Sequence, residues 1–159
     1  MADSDSALLE KVSAALNDGA EREALPQVLD LLLAHFACTT GTVHLLGKNS
    51  GMLQLAAQRG IPEIVLDKIK VIPVGKGMAG IAAERGEPVQ VCNLQTDSSG
   101  VVRPGARDTK MEGSIAAPML DSAGALKGTL GVAKPAAYDF AGQECDLLMK
   151  AGRLIAEHL

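Results

Sequence analysis

"VGKGMAGIAAERGEPVQVCN", residues 74–93, carries Gly75, Gly77 and Gly80 in the spacing G-x-G-x-x-G. It lies between an extended run, 69 to 74, and a helix-like run, 78 to 85. In a parallel doubly wound sheet this spacing cradles a dinucleotide, with the pyrophosphate at the helix N-terminus. That reading needs a β-α-β crossover and an acidic residue about 20 positions on, for the ribose. Here the next strand ends at Asn93, and residues 78 to 85 make a short crossover. The strands that follow return as a hairpin. No G-K-[ST] occurs, so the motif is not a Walker loop. The remaining reading is conformational. Gly75 and Gly77 turn the chain sharply into a helix, and Gly80 lets that helix pack closely on a strand. The same geometry leaves N–H groups near Met78 and Ala79 free at a helix N-terminus, which suits a small anion or a carbonyl oxygen.

Upstream, Leu8, Leu9, Val12, Ala15 and Leu16 recur at helical spacing over 6–16, and Asn17-Asp18-Gly19 stops the run. A second helix is predicted over 23–37, with Pro26 in its first turn and a stripe of Leu25, Val28, Leu29, Leu32, Leu33 and Phe36. The period then changes. Strands at 42–46 and 52–57 flank the turn Gly47-Lys48-Asn49-Ser50-Gly51, which makes an antiparallel hairpin. Pro62 opens a short helix over 62–67, and Gly86 ends the helix over 78–85. A strand follows at 89–92. Residues 94–112, LQTDSSGVVRPGARDTKME, have no clear period. A loop of that length in a compact domain is usually functional or disordered. A second hairpin pairs 113–120 with 126–133 around Asp121-Ser122-Ala123-Gly124, and a long helix over 140–158 closes the chain. Strands in hairpins, with helices gathered at the two ends of the chain, predict an α+β domain. Its antiparallel sheet carries a helical layer on one face.

The bulk numbers narrow the function. With 159 residues, 47% hydrophobic and 21% charged, the chain fits one domain with a proper core. It is too short for a two-domain dehydrogenase. A net charge of −4 with interspersed signs shows no basic face, so nucleic acid is not expected as a partner. The aromatics are Phe36, Tyr138 and Phe140, only 2% of residues, which leaves no stacking platform for bases. Three widely spaced cysteines, Cys38, Cys92 and Cys145, match neither a disulfide framework nor a zinc site. There is no signal-peptide pattern in MADSDSALLEKV and no apolar run of membrane-spanning length. The expectation is a cytoplasmic protein without membrane contact.

Four stretches, taken in order, resemble a known family: LQLAAQRGIPE (53–63), IPVGKGMAGIAAERGEPVQVCNL (72–94), GSIAAPMLDSAGALKGTLGVA (113–133) and YDFAGQECDLLMKAGRLIAEHL (138–159). The glycine turn opens a short helix, and Gly86-Glu87-Pro88-Val89 leads into a strand. A long loop follows, then a hairpin with Pro118 and Gly124, then a helix opened by Phe140. This order is similar to that of a GAF domain. The resemblance covers roughly 23–159, with 1–22 as an N-terminal helical extension of a single domain. It implies a GAF/PAS-like α+β fold, with terminal helices on one face of the sheet and a ligand pocket on the other, under short helices and the 94–112 loop.

Carried onto this sequence, the resemblance implies a pocket at Met78, Ala79, Gly80 and Ile81, at Cys92 and Asn93, along the loop, and at Ser114. Arg103, Arg107 and Lys110, with Lys76, are candidate partners for a carboxylate, phosphate or nitrate. Asp97, Asp108 and Glu112 share the loop, so a solvated polar lid is the alternative. Relatives bind cyclic nucleotides, tetrapyrroles, 2-oxoglutarate, amino acids or nitrate, so the resemblance fixes neither ligand nor cofactor. Covalent bilin would need a cysteine after the loop, and none lies between Cys92 and Cys145. His44 is a candidate haem ligand only if its strand turns it to the pocket.

The expected function is a small-molecule sensor in signal transduction. It would be a homodimer through its terminal helices and act on a separate output protein, or be part of a longer chain. The alternative is a ligand-free dimerisation or protein-interaction module. A third reading, the free methionine-(R)-sulfoxide reductases of the same family, requires a pocket thiolate and a resolving thiol. Here only Cys92 is placed to reach the pocket, with Cys38 and Cys145 expected on helices at the other face.

Overall fold

The computed structural model describes residues 2–18 and 21–159. Two helices come first, α1 (Ala2–Asp18) and α2 (Glu21–Phe36). The hairpin β1 (Thr40–Leu46) and β2 (Leu53–Arg59) follows, then α3 (Glu63–Ile69), β3 (Val71–Ile72), α4 (Gly77–Arg85) and β4 (Val89–Val91). The second hairpin, β5 (Ser114–Leu120) and β6 (Leu126–Ala133), leads to α5 (Gly142–Glu157). The strands form one antiparallel sheet in the order β3-β2-β1-β6-β5-β4. The β1–β6 pair therefore joins the two hairpins at the centre. This is the expected α+β architecture.

Strand alternation sends Val43 and Leu45 of β1, Ile115, Ala117 and Met119 of β5, and Leu130 and Val132 of β6 to one face. There they meet Leu25, Val28, Leu29 and Leu32 of α2 and Leu148, Ala151 and Ile155 of α5, all at most 1% exposed. Each such leucine or isoleucine, fully removed from water, contributes about 1.5–3 kcal/mol before conformational entropy is subtracted. Helix α1 joins the same core through Leu8, Val12, Ala15 and Leu16. Gly41 has no side chain because the helices lie too close. A Cβ there would stand 2.8 Å from Leu29 Cδ1.

The structure departs from the sequence reading at several element ends. Helix α2 begins at Glu21, so Pro26 lies inside it rather than in its first turn. Ala24 and Leu25, 3% and 0% exposed, draw the extra turn onto the core. The same helix stops at Phe36, where Ala37 turns left-handed (φ 53°) and the Cys38 amide donates to the Leu33 carbonyl at 2.9 Å. Cys38 is thus buried in the connection to β1 and not on a helix. Of the extended run 69–74, only Val71 and Ile72 pair, against β2, while Ile69 ends α3. The 94–112 loop contains a 3-10 turn, Pro104–Thr109. The expected helix stop at Gly19 lies outside the described residues. Among the described residues, no helix is long and apolar enough to cross a membrane.

Candidate functional site

The second face of the sheet is built from the residues in between. Thr40, Thr42 and His44 of β1 stand opposite Ala133, Gly131 and Thr129 of β6. Ser114 and Ala116 of β5 pair with Ala133 and Gly131 in turn. Most of these side chains are small and leave space beneath the covering layer. A cavity of about 390 Å³ is left. Its floor includes Thr40, Thr42, His44, Ser114, Ala116 and Gly131. Its walls are Ile61, Val65, Lys68 and Ile69 around α3, Ile72, and Lys76 to Ala79 at the start of α4. Its lid is Leu94, Val102, Arg103, Gly105, Ala106 and Thr109.

The glycine motif shapes one wall. Gly75 and Gly77 have φ of 94° and 68°, the left-handed region that favours glycine. The Gly75 amide donates to the Gly80 carbonyl at 2.7 Å, closing the turn. A Cβ on Gly80 would collide with the Pro73 carbonyl oxygen, so the close approach is to the incoming turn of its own motif. No side chain caps α4 at Lys76. The first amides of a helix have no partner within it and carry partial positive charge. Here Gly77, Met78 and Ala79 line the cavity.

Cations surround the opening. Lys68, Lys76 and Arg103 line the cavity, and the lining contains no carboxylate among the described residues. Two glycines give the long cationic stems room. A Cβ on Gly77 would stand 2.9 Å from Arg103 Cδ, and one on Gly105 would stand 3.1 Å from Lys68 Cδ. Lys68 also meets Asp108 of the lid at 3.4 Å, with both side chains about half exposed. Such a pair contributes at most about 1 kcal/mol.

The other residues expected at the pocket are spread more widely. Gly80 is buried in the turn, and Ile81 packs with Ala82, Val89 and Ala116. Asn93 accepts from the Gln95 amide at 2.9 Å and donates to Glu112 at 3.4 Å, holding the two ends of the loop together. Arg107 turns back onto the loop and donates to the Leu94 and Asp97 carbonyls at 3.2 and 3.0 Å. Lys110 sits exposed in a left-handed turn (φ 64°) after the 3-10 segment. Of the expected site residues, the structure therefore brings Met78, Ala79, Arg103 and Ser114 together at the cavity. Lys68 and the aliphatic wall of α3 were missed, because a seven-residue amphipathic helix carries no sign of what it covers.

No cysteine lines the cavity among the described residues. Cys92 follows Val91 at the exposed end of β4. Burial pushes the Cys38 thiol up to about 11, and burial also raises that of Cys145. Among the described residues, no cluster of His, Cys, Asp and Glu could hold a metal ion.

His44 is the one large polar group in the floor, and it is 2% exposed. Its Nε2 donates to the Ile69 carbonyl at 2.8 Å. Burial lowers its pKa, and the Ile69 hydrogen bond offsets this only in part.

The comparisons with known proteins follow the same architecture. The family model described as GAF domain matches residues 20–159. No curated protein matches the chain. The GAF domain of a phosphoenolpyruvate-protein phosphotransferase from Coxiella burnetii superposes with TM-score 0.80 at 21% identity, covering 98% of this chain and 93% of that one. The corresponding Acinetobacter domain gives 0.78 at 15% identity, covering 95% and 89%. The free methionine-R-sulfoxide reductase of Neisseria meningitidis, in complex with its substrate, gives 0.78 at 20% identity, covering 95% and 85%. At these identities the three structures share a fold with this chain, and the family model runs from the start of α2 through α5: the chain belongs to the GAF domain family.

Proposed function

We propose that this chain is a small-molecule-sensing GAF domain in signal transduction and that it binds a small organic or inorganic anion in the cavity under the 94–112 loop. One observation carries the reading. The cavity lies between sheet, helix start and lid, and among the described residues its charged lining consists of Lys68, Lys76 and Arg103 without a carboxylate. The three cations stand exposed at the mouth, where solvent screens each of them, and the uncapped start of α4 adds to the same sign. On binding, the ligand ties the lid to the start of α4 and to α3, which the exposed Lys68–Asp108 pair links only weakly. The output then passes to a separate protein, or to another part of a longer chain.

A groove between α1 and α5, lined by Leu9, Ala14 and Leu154 among charged neighbours, favours a homodimer through the terminal helices. It also supports the second reading, an interaction module without ligand. The reductase reading is disfavoured because its chemistry needs a thiolate at the substrate, and the cysteines stand away from the lining.

Thermal unfolding against nitrate, nitrite, 2-oxoglutarate, amino acids, methionine sulfoxide, cyclic AMP and cyclic GMP tests the proposal. A ligand of the native state raises the midpoint with its concentration. The sensor reading predicts a saturable rise that Arg103→Ala shifts to higher ligand concentration. If folded protein shows no rise with any compound while sedimentation shows a dimer, the interaction module replaces it.

A further inference from the structure

The charged and the apolar parts of the cavity lining are set apart. All three cations come from the covering layer, Lys68 from α3, Lys76 from the turn before α4 and Arg103 from the lid, and all three are exposed. The floor adds no fixed charge. His44 gives its Nε2 proton to the Ile69 carbonyl, its Nδ1 is buried, and burial disfavours its charged form. Between mouth and floor the lining is aliphatic. Ile61 and Ile69 around α3, Met78 and Ala79 in the first turn of α4, and Val102 and Ala106 of the lid all line the cavity. Each of the six is only half-buried, so each still has apolar surface left to cover.

This arrangement decides what kind of anion fits. Solvent screens exposed cations, so a small inorganic anion gains little from them alone. A guest that also covers the aliphatic ring gains about fourfold in affinity for each methylene taken from water. A second carboxylate at the far end of the guest would lose its hydration against carbon, with no cation there to meet it. No Phe, Tyr or Trp lines the cavity among the described residues, so a flat aromatic guest finds no such ring to stack on. We propose that the ligand is an amphipathic organic anion with one charged head, a carboxylate or a phosphate, and an aliphatic body. The head sits at the mouth with Arg103, Lys76 and Lys68, and the body covers Ile61, Ile69, Met78 and Val102. This rests on the anion-binding reading above and names the class of anion.

The test uses two homologous series, acetate to octanoate and ethyl to octyl phosphate, with hexanol as the neutral control and nitrate and 2-oxoglutarate as anions without an aliphatic tail. Calorimetric affinities are measured for the wild type, Arg103→Ala and Val102→Thr. In at least one series affinity rises about fourfold per methylene as far as the six-carbon member, and hexanol binds about tenfold or more weakly than that member. Arg103→Ala weakens every member by the same factor and leaves the gain per methylene unchanged. Val102→Thr, of nearly the same shape, weakens the six-carbon member and leaves the two-carbon member as it was. A second readout needs no variant. Intermolecular nuclear Overhauser effects connect the terminal methyl of bound hexanoate or hexyl phosphate to the methyl groups of Ile69, Met78 and Val102.

An affinity that does not change with chain length, or nitrate and 2-oxoglutarate binding as tightly as the six-carbon members, would overturn the amphipathic inference and leave the anion site standing. Overhauser effects confined to Leu9 and Leu154, in the groove between α1 and α5, would also overturn it. If hexanol binds as tightly as hexanoate and hexyl phosphate, or if no anion tested binds folded protein, the anion reading falls and this inference falls with it.

Discussion

Along β6, Leu130 and Val132 turn toward the helices, while Thr129, Gly131 and Ala133 turn toward the lid. β1 and β5 divide in the same way, residue by residue. The helix face is filled: large aliphatic side chains meet α2 and α5, and among the described residues no Asp, Glu, Lys or Arg is buried. The lid face has the same backbone behind it but small side chains in front. Its cover is a loop stapled by Arg107 and Gln95 to the carbonyls of Leu94, Asp97, Arg107 and Met111. One face therefore carries the stability and the other carries the space. A period of two in the sequence is enough to write both.

The sharpest way to break this comparison is to change neighbours. Leu130→Ala, at 0% exposure, removes a side chain from the filled face and is expected to cost about 2–5 kcal/mol in denaturant unfolding. Gly131→Val, one residue on, projects into the cavity. A Cβ there meets Thr42 Oγ1 only at an ordinary 3.4 Å. It is expected to abolish binding of any probe that the wild type binds, with a stability change within about 1.5 kcal/mol. Comparable destabilisation by both would show that the lid face is also packed for stability.

Smaller effects separate the parts of the lid. Arg103→Ala is expected to weaken anion binding roughly ten- to hundredfold, since a charge-assisted hydrogen bond contributes about 1.5–3 kcal/mol, with little change in the unfolding midpoint of the free protein. Arg107→Ala releases two carbonyls without touching the cavity lining. Hydrogen exchange across 94–112 should quicken while exchange in α2 and β6 stays as it was. Equal loss of affinity in the two variants would place both guanidinium groups on the ligand.

The least effect concerns pH. Burial holds the folded His44 pKa below the ordinary value of about 6.5. As pH falls through 6.5, the unfolded chain takes up a proton that the folded chain does not, so stability falls. The slope is at most about 1.4 kcal/mol per pH unit and ends once the folded group also titrates. The slope fades as pH rises past 7 and is nearly gone by about pH 8. Unfolding at pH 7.5, 6.5 and 5.5 should show the decline in the wild type, with part of it missing in His44→Gln.

Much of this was legible in the sequence. The hairpins, the order of elements and the helix stripe of α2 follow from apolar spacing and turn residues, and Gly86 ends α4 left-handed (φ 71°) as glycine after a last turn does. Gly75 and Gly77 were readable as turn formers because nothing else in the chain supported a parallel sheet. What stayed hidden depends on pairing across distance. His44 faces the cavity because β1 pairs with β6 in one register, and that register is set by contacts far along the chain. Arg103 and Arg107, four positions apart in the same loop, look alike in sequence. Only the path of the 3-10 turn sends one to the cavity and the other back to the loop carbonyls.

The most direct test of the account is a residue-resolved amide NMR titration of the labelled protein with hexanoate, hexyl phosphate and nitrate. The account predicts saturable shifts at Gly77 to Ala79, along 94–112 and at the cavity-facing positions of β1 and β6, with α1 and the outer surface of α5 silent. Saturable shifts confined to α1 and α5, or none at any concentration in folded protein, would contradict it.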